Sequence, residues 1–399
     1  MDGLSYCKAL TTGIGRADFP QLNSDELVYF DNASTALKPN SVIQTVAQIY
    51  RQISNVGRSR HKHAEYVTAE FEHSRDRISE FIGCSPLELL FTHNCTDSVN
   101  LISSGLGLGK GDRVIVSELE HHSNLLPWLE KADLHIVRLD SEGLLDLNHL
   151  EELLRTPARL VAVCHASNIT GNVQPVAEIC KLARMYGALT LVDCAQTVGH
   201  IPVDTRSIGC DFLVFSPHKV FAPSGVGGLY IRHEAQPLVR NFRFGGGMVD
   251  QVGNEHVRYK SGLARFEAGT PNIEGVIGTG AAIDFVDSIG LSTIQLQNKG
   301  LDAYLRDELS KCKFIELPFL FSKIRVPIVT FNVAGAIDLQ TLSVLLSDVH
   351  GIAVNVGFQC NQPLYQSLGL KGGLRASLHM YNNKSEIDCF VSALNELLS

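Results

Sequence analysis

Between residues 40 and 290, short apolar runs alternate with segments in which apolar side chains recur every three or four positions. The runs at 89–92, 113–117, 135–138, 160–164, 189–193, 211–215 and 228–231 read as strands. Between them the helical period is plain: Val176, Ile179, Cys180, Ala183 and Tyr186 share one face, and Gly187 follows where a capping glycine belongs. This alternation predicts an α/β fold built on a mostly parallel seven-stranded sheet with crossover helices. Sheets of this kind bind ligands at the C-terminal ends of their strands.

After Gly290 the rhythm changes. A long polar helix at about 292–312, a strand near 329–333, a helix at 338–348, strands at 352–354 and 374–378 and a helix from about Ser385 predict a smaller α+β domain. The expected organisation is an N-terminal segment at 1–25, a large domain at 26–290 and a small C-terminal domain at 291–399. No proline-rich or serine-rich linker separates the last two, so a tight joint is expected rather than a flexible tether.

Composition narrows the function classes. The 399 residues include 34 Lys and Arg against 42 Asp and Glu, a formal net charge of −8, with 45% apolar and 19% charged residues. These values exclude a disordered chain or a coiled coil as the main structure. The acidic balance speaks against a nucleic-acid or membrane-surface partner, and the tightest basic run, 58–63, stands alone. No apolar stretch reaches the roughly 18–20 residues of a membrane helix, and MDGLSYCKAL lacks a basic region followed by an apolar one, so a cytoplasmic protein is expected. The ten cysteines, from Cys7 to Cys389, show no CxxC or zinc-like spacing and are expected to be mostly reduced and buried. His121 and His122 are adjacent rather than one helical turn apart, and HExxH is absent, so no metal site is expected.

The polar residues that carry chemistry converge on the predicted strand ends. LVDCAQ closes an apolar strand with Asp193, followed by Gln196. A carboxylate there is costly without a cationic partner, although taken alone it reads equally well as a helix cap. FLVFSPHK closes another strand with Ser216, His218 and Lys219. A lone lysine after a strand is usually a solvated group, but an aspartate and a lysine ending successive strands can serve one ligand. An amine can form a Schiff base, and an aspartate can keep a pyridine nitrogen protonated, which is the pairing pyridoxal phosphate requires. LLFTHNCTDSVNLI runs from strand through a polar turn into a helix, so Asn94, Cys95 and Thr96 either present a phosphate site or simply cap the helix. VSELEHHSN offers His121, whose ring can stack on a pyridine face, and VCHASNITGN places Asn168 where it can donate to the cofactor's phenolic oxygen.

With these motifs the chain resembles the fold-type I pyridoxal-phosphate enzymes of the class V aminotransferase superfamily, most closely the group II cysteine desulfurase and selenocysteine lyase branch. The likeness runs through YFDNASTALKP, ELEHHSNLLPW, HASNITGNVQPV, LVDCAQTVGHIPVD, CDFLVFSPHKVFAPSGVGGLY, RFEAGTPN, GIAVNVGFQCNQPL and RASLHMYNN. The resemblance implies that Lys219 is the Schiff-base lysine, that Asp193 partners the pyridinium nitrogen, that His121 stacks on the ring and that Asn168 and Gln196 address the phenolic oxygen. It further implies that Cys95, Thr96, Ser216 and His218 hold the phosphate, with Thr270 contributed across a dimer interface. Arg375 then forks onto the substrate carboxylate, with Asn32 and Arg58 as further substrate contacts. The implied partners are an amino-acid substrate, a second copy with shared active sites and a sulfur-acceptor protein.

Cys360 occupies the position of the branch's persulfide-forming nucleophile. There the branch normally has an arginine, a short turn and two histidines, whereas this chain reads Asn355, Val356, Gly357, Phe358, Gln359, Cys360. Arg58 and His61 match the segment that reaches over the neighbouring active site, although Gly57 stands where a histidine is common. Two expectations stay open. In one, Cys360 takes sulfur from L-cysteine and leaves alanine, with Arg58 and His121 supplying the electrostatics of the thiol. In the other, the loop is a relic and the enzyme is a C–S lyase, aminotransferase, decarboxylase or epimerase acting on a cysteine-like amino acid. CNQPL after the thiol favours the first, and the lost basic residues favour the second. A scaffold without activity is a third reading, against which Lys219, Asp193 and Arg375 count.

Overall fold

The computed structural model describes residues 12–23, 27–334 and 337–399. Seven strands form the large sheet: β1 (Leu89–Thr92), β2 (Arg113–Ser117), β3 (Asp133–Val137), β4 (Leu160–Cys164), β5 (Leu189–Asp193), β6 (Phe212–Phe215) and β7 (Gly227–Ile231). Their order is β1-β7-β6-β5-β4-β2-β3. Neighbours are parallel except around β7, which runs antiparallel to both β1 and β6. This is the mostly parallel seven-stranded sheet that the apolar runs predict, with β3 starting at Asp133 rather than at 135.

Alternation along the inner strands sends side chains to two covered faces. Val161, Val163, Val192, Leu213 and Phe215 enter one core, and Leu160, Ala162, Leu191, Phe212 and Val214 enter the other. Helix α1 (Cys95–Gly105) covers the second face with Val99 and Ile102. Helices α2 (Val176–Met185) and α3 (Ile273–Ile289) cover the first, α2 through Val176, Ile179, Cys180 and Ala183. Each such aliphatic side chain contributes about 1.5–3 kcal/mol when fully buried.

α3 ends at Gly290, whose φ of 88° suits a residue without a Cβ, and α4 (Leu291–Ser310) starts at once. The joint is as tight as the missing linker predicts. Leu301, Leu305 and Leu309 of α4 pack on a four-stranded antiparallel sheet of β8 (Ile315–Glu316), β9 (Ile328–Val333), β10 (Asn355–Gly357) and β11 (Gly373–Ser377), in the order β8-β9-β11-β10. Helices α5 (Leu339–His350) and α6 (Lys384–Leu398) complete this layer.

The strand expected at 352–354 is present at Ile352–Ala353, with its own pairing. Ile352–Ala353 pairs in parallel with Val28–Tyr29, and a separate strand, β10, pairs with β11. Phe30 packs with Leu301, Phe331 and Phe390. The chain from residue 28 therefore begins in the C-terminal layer, because its apolar residues complete that core rather than the core of the large sheet. The expected N-terminal segment at 1–25 lies mostly outside the described residues, as does Cys7. The other cysteines are free, seven of them buried, with Cys360 and Cys389 exposed. Among the described residues no group of side chains could hold a metal ion, and no helix is long and apolar enough to cross a membrane.

A buried ion pair links the layers. Arg325 Nη2 meets Asp302 Oδ1 at 3.1 Å with both side chains nearly inaccessible, and the same guanidinium donates to Thr170 O (2.6 Å), Asn172 Oδ1 (2.9 Å) and Ile328 O (2.8 Å). Asp302→Ala would leave a buried cation short of its counter-charge, and we expect a loss of about 3–5 kcal/mol in urea unfolding. A loss below about 1 kcal/mol, the level of an exposed pair, would refute this role.

Candidate active site

The C-terminal ends of β4, β5 and β6, the start of α1 and the turn after β10 enclose a cavity of about 420 Å³. Asp193 ends β5 at its floor. One oxygen accepts from Ala195 N–H at 2.9 Å and from the Cys95 thiol at 3.4 Å, and no ion pair reaches the carboxylate among the described residues. Burial holds this carboxyl above the usual carboxylate range, against the Ala195 N–H and the nearby Lys219. Cys95 is buried too, and its thiol stays protonated because burial and Asp193 both push its pKa up.

Lys219 follows β6 at the end of a short turn, Pro217–Lys219, which starts with proline where a missing N–H costs nothing. Burial pushes its amine down, with Asp193 acting in the opposite sense. The turn is pinned by Lys38, whose ammonium donates to His218 O at 2.9 Å and Thr35 Oγ1 at 3.2 Å. Lys38 is itself lowered to about 8 by burial. Lys38 lies in YFDNASTALKP, but the resemblance assigned it no role.

A corner suited to an anion lies at the first turn of α1. Asn94 caps it by accepting from Asp97 N–H at 2.8 Å, and Cys95 N–H donates to Ser216 Oγ at 3.1 Å. Thr96 Oγ1 and Ser123 Oγ are 2.7 Å apart, and His218 Nδ1 is 3.2 Å from Thr35 Oγ1. The helix dipole adds partial positive charge here. Cys95 serves the corner through its backbone, since its side chain is taken by Asp193.

His121 Nδ1 accepts from Ser123 N–H at 3.1 Å, which leaves the ring proton on Nε2. Burial, Lys219, His122 and Arg375 together lower its pKa to about 3. Behind it sits Glu120, a fully buried carboxyl that accepts from Ser117 Oγ (2.5 Å), Asn124 Nδ2 (2.6 Å) and Cys164 N–H (2.9 Å) and is pushed up to about 7 by burial. These bonds tie the His121 turn to the ends of β2 and β4. Sequence reasoning passed over Glu120, which lies three residues beyond the end of its strand, whereas Asp193 is the last residue of its own.

Arg375, on β11, is 3% exposed. Its Nη2 reaches Ser34 Oγ (2.9 Å) and Asp31 Oδ1 (3.3 Å), its Nη1 donates to Asn168 O (3.1 Å), and its Nε has no partner. Asn168 Nδ2 donates to Gln359 O at 2.8 Å, and Gln196 Nε2 donates to Ala33 O at 3.1 Å, so each amide keeps a second N–H for a ligand. Cys360 lines the same cavity with an exposed thiol.

Cys95, Thr96, His121, Asn168, Asp193, Gln196, Ser216, His218, Lys219, Cys360 and Arg375 thus come together around one cavity. Three expected residues do not. Asn32 is buried outside it, donating to Ser377 O (2.8 Å) and accepting from the Tyr381 hydroxyl, so its amide braces the N-terminal strand. Arg58 and Thr270 line a separate cavity of about 260 Å³. His121 lies on the same cavity as Cys360, its ring held toward the neutral form by burial. Asp31, Ser34 and Asn355 line or brace the cavity and were missed, because their role is to meet Arg375 and one another.

An unpaired buried carboxylate, an amine depressed by burial, an imidazole face, a hydroxyl-ringed helix start and a guanidinium with a free Nε fit pyridoxal phosphate: ring nitrogen, aldehyde, ring face and phosphate each find their complement. Comparison with known proteins agrees in kind. The family model "Aminotransferase class-V" matches residues 28–390. A cysteine desulfurase of Escherichia coli is 36% identical over 397 residues, covering 96% of this chain and 97% of that protein. A cysteine desulfurase of Haloferax volcanii is 35% identical over 407 residues, covering 95% of each. The apo structure of a cysteine desulfurase from Thermococcus onnurineus superposes with a TM-score of 0.91 at 35% identity, covering 96% of this chain and 97% of that one.

With a pKa near 3, the His121 imidazole stays neutral from pH 8 down to pH 5, since protonation would add a charge where burial opposes it first and the positive ends of Lys219 and Arg375 add to that. In histidine-labelled protein the resonances that vanish in His121→Gln are expected not to move over this range. A midpoint near 6.5 would refute the assignment.

Proposed function

The chain belongs to the class V aminotransferase family, and from that premise we propose that it is a pyridoxal 5'-phosphate-dependent cysteine desulfurase that moves the sulfur of L-cysteine onto Cys360 and releases L-alanine. The observation that carries this reading is the exposed Cys360 thiol on the cavity that also holds Lys219 and Arg375. When bound, the cofactor supplies an electron sink that lets the substrate Cα–H be deprotonated.

The chain's own residues do the rest. Asp193 would hold the ring nitrogen, His121 would cover the ring face, and Thr96, Ser216 and His218 would hold the phosphate. Arg375 offers its unpaired Nε edge to the substrate carboxylate, which fixes the amino acid's orientation. Lys219 would hold the cofactor's aldehyde carbon, and its free amine would be the base for the Cα proton, a task its depressed pKa suits. Cys360 Sγ attacks the substrate sulfur: an S–S bond forms, the Cβ–S bond breaks and its electron pair stays with carbon. The proton given up by Cys360 balances the one gained at Cβ, so L-cysteine and a thiol become L-alanine and a persulfide with no oxidant.

The proposal includes a cytoplasmic homodimer and a protein that accepts the persulfide sulfur. Thr270 is exposed in the single chain, and with Arg58 it lines the second cavity, which suits residues offered to a partner copy's site. The uncharged Phe358 and Gln359 before the thiol favour a second reading, in which the same site performs C–S lysis, transamination, decarboxylation or epimerisation without a persulfide.

Product analysis separates the two. With L-cysteine, the cofactor-loaded protein is expected to release alanine, Cys360→Ala to lose alanine by about 100-fold or more, and Lys219→Ala to lose both alanine and the visible absorbance. Pyruvate from the unmodified protein, or alanine from Cys360→Ala, would overturn the persulfide reading. Arg375→Lys replaces a fork with a point charge, and KM is expected to rise about 10- to 100-fold. An unchanged KM would place the carboxylate elsewhere.

A further inference from the structure

The turn presenting Cys360 holds two consecutive residues in the left-handed region, Gln359 at φ 39° and Cys360 at φ 58°, neither of them glycine. Such backbone persists only where its surroundings over-determine it. Here they do so chiefly through Gln359. Its Nε2 donates to Gly373 O at 3.0 Å, and its Oε1 accepts from the hydroxyl of the fully buried Tyr365 at 2.5 Å. Its carbonyl accepts from Asn168 Nδ2 at 2.8 Å. Phe358 sets its ring edge-on to Tyr365, with centroids 5.7 Å apart, and Asn361 N–H closes the turn onto Phe358 O at 2.8 Å. Beyond the thiol, Cys360 O accepts from His122 N–H at 2.8 Å.

We propose that Gln359 is the positioning residue of the sulfur-carrying turn, its side chain clamped between Gly373 and Tyr365 so that Cys360 is held in one left-handed pose at the cavity mouth. This rests on the reading of Cys360 as the sulfur carrier. An amide and a phenyl ring do not titrate, so the turn contributes placement to the thiol and no charge. A thiol confined to one pose meets the substrate sulfur without a search, and misplacement by about 1 Å can cost 100-fold in rate. The side chain of Gln359 faces Gly373 and Tyr365, whereas Asn168 bonds its carbonyl, so truncating the side chain leaves Asn168 and the Arg375 contact behind it in place.

The test uses cofactor-loaded Gln359→Ala with Tyr365→Phe, which removes a single bond of the clamp. Three rates are read: alkylation of Cys360 relative to exposed Cys389 in the same chain, alanine release from L-cysteine, and exchange of the Cα proton of L-alanine with deuterated solvent. The last needs Lys219 and Arg375 but not the thiol. For Gln359→Ala, Cys360 alkylation is expected to speed up severalfold against Cys389, kcat for alanine release to fall about 10- to 100-fold, and KM and proton exchange to stay within about twofold. Tyr365→Phe is expected to shift the same readings in the same direction by less. Unchanged alkylation and kcat would overturn the proposal, and so would proton exchange falling in step with kcat, which marks general damage. If the unmodified protein forms no alanine, the desulfurase reading fails, and the alkylation ratio alone then supports or overturns the clamp.

Discussion

A guanidinium cannot be buried without partners, and the cavity is assembled around the way Arg375 finds them. Its own strand lies in the C-terminal layer, Asp31 and Ser34 come from the segment after the first short strand, and the Asn168 carbonyl comes from the loop after β4. Three stretches of chain are thereby held to one side chain. The partnership is incomplete, with Asp31 meeting a single corner of the fork and Nε meeting nothing. The fold thus leaves the solvation of this guanidinium unfinished on the side of Nε.

The same desolvation shapes the rest of the site. Burial pushes His121 and His218 to about 3 and 4 and depresses Lys219, while it raises the carboxyls of Asp193 and Glu120. Bases and acids alike are driven toward their neutral forms. The cavity is therefore poorer in fixed charge than its list of side chains suggests. A bound phosphate, pyridinium and amino acid bring their own charges into surroundings that lack counter-ions until they arrive.

Sequence reasoning found the seven strands of the large sheet to within about two residues, because a core strand advertises itself through an apolar run that few other structures need. It found Asp193 and Lys219 for a related reason: a charge at the end of such a run has to be explained. Arg375 and Cys360 came through resemblance alone, since nothing local sets them apart. Asp31 and Ser34 stayed hidden because their purpose lies in a side chain 344 residues from Asp31, and Asn32, their neighbour, was assigned to substrate when its amide serves the packing of Ser377 and Tyr381. The tilt of His121 toward neutrality was likewise illegible, being set by burial and, beyond it, by Lys219 and Arg375 from distant stretches of the chain.

The parallel pairing of Val28–Tyr29 with Ile352–Ala353 sets a schedule for synthesis. A chain leaving the ribosome emits residues 28–36 early, yet their partners on β11 and in the segment before β10 emerge only when nearly the whole protein has been made. The central sheet, whose strands follow one another at short intervals, can close first. Apolar Phe30 must meanwhile wait uncovered, and contacts so distant in sequence are slow to form. The contacts that join Arg375 to Asp31 and Ser34 are thus among the last that the growing chain can complete.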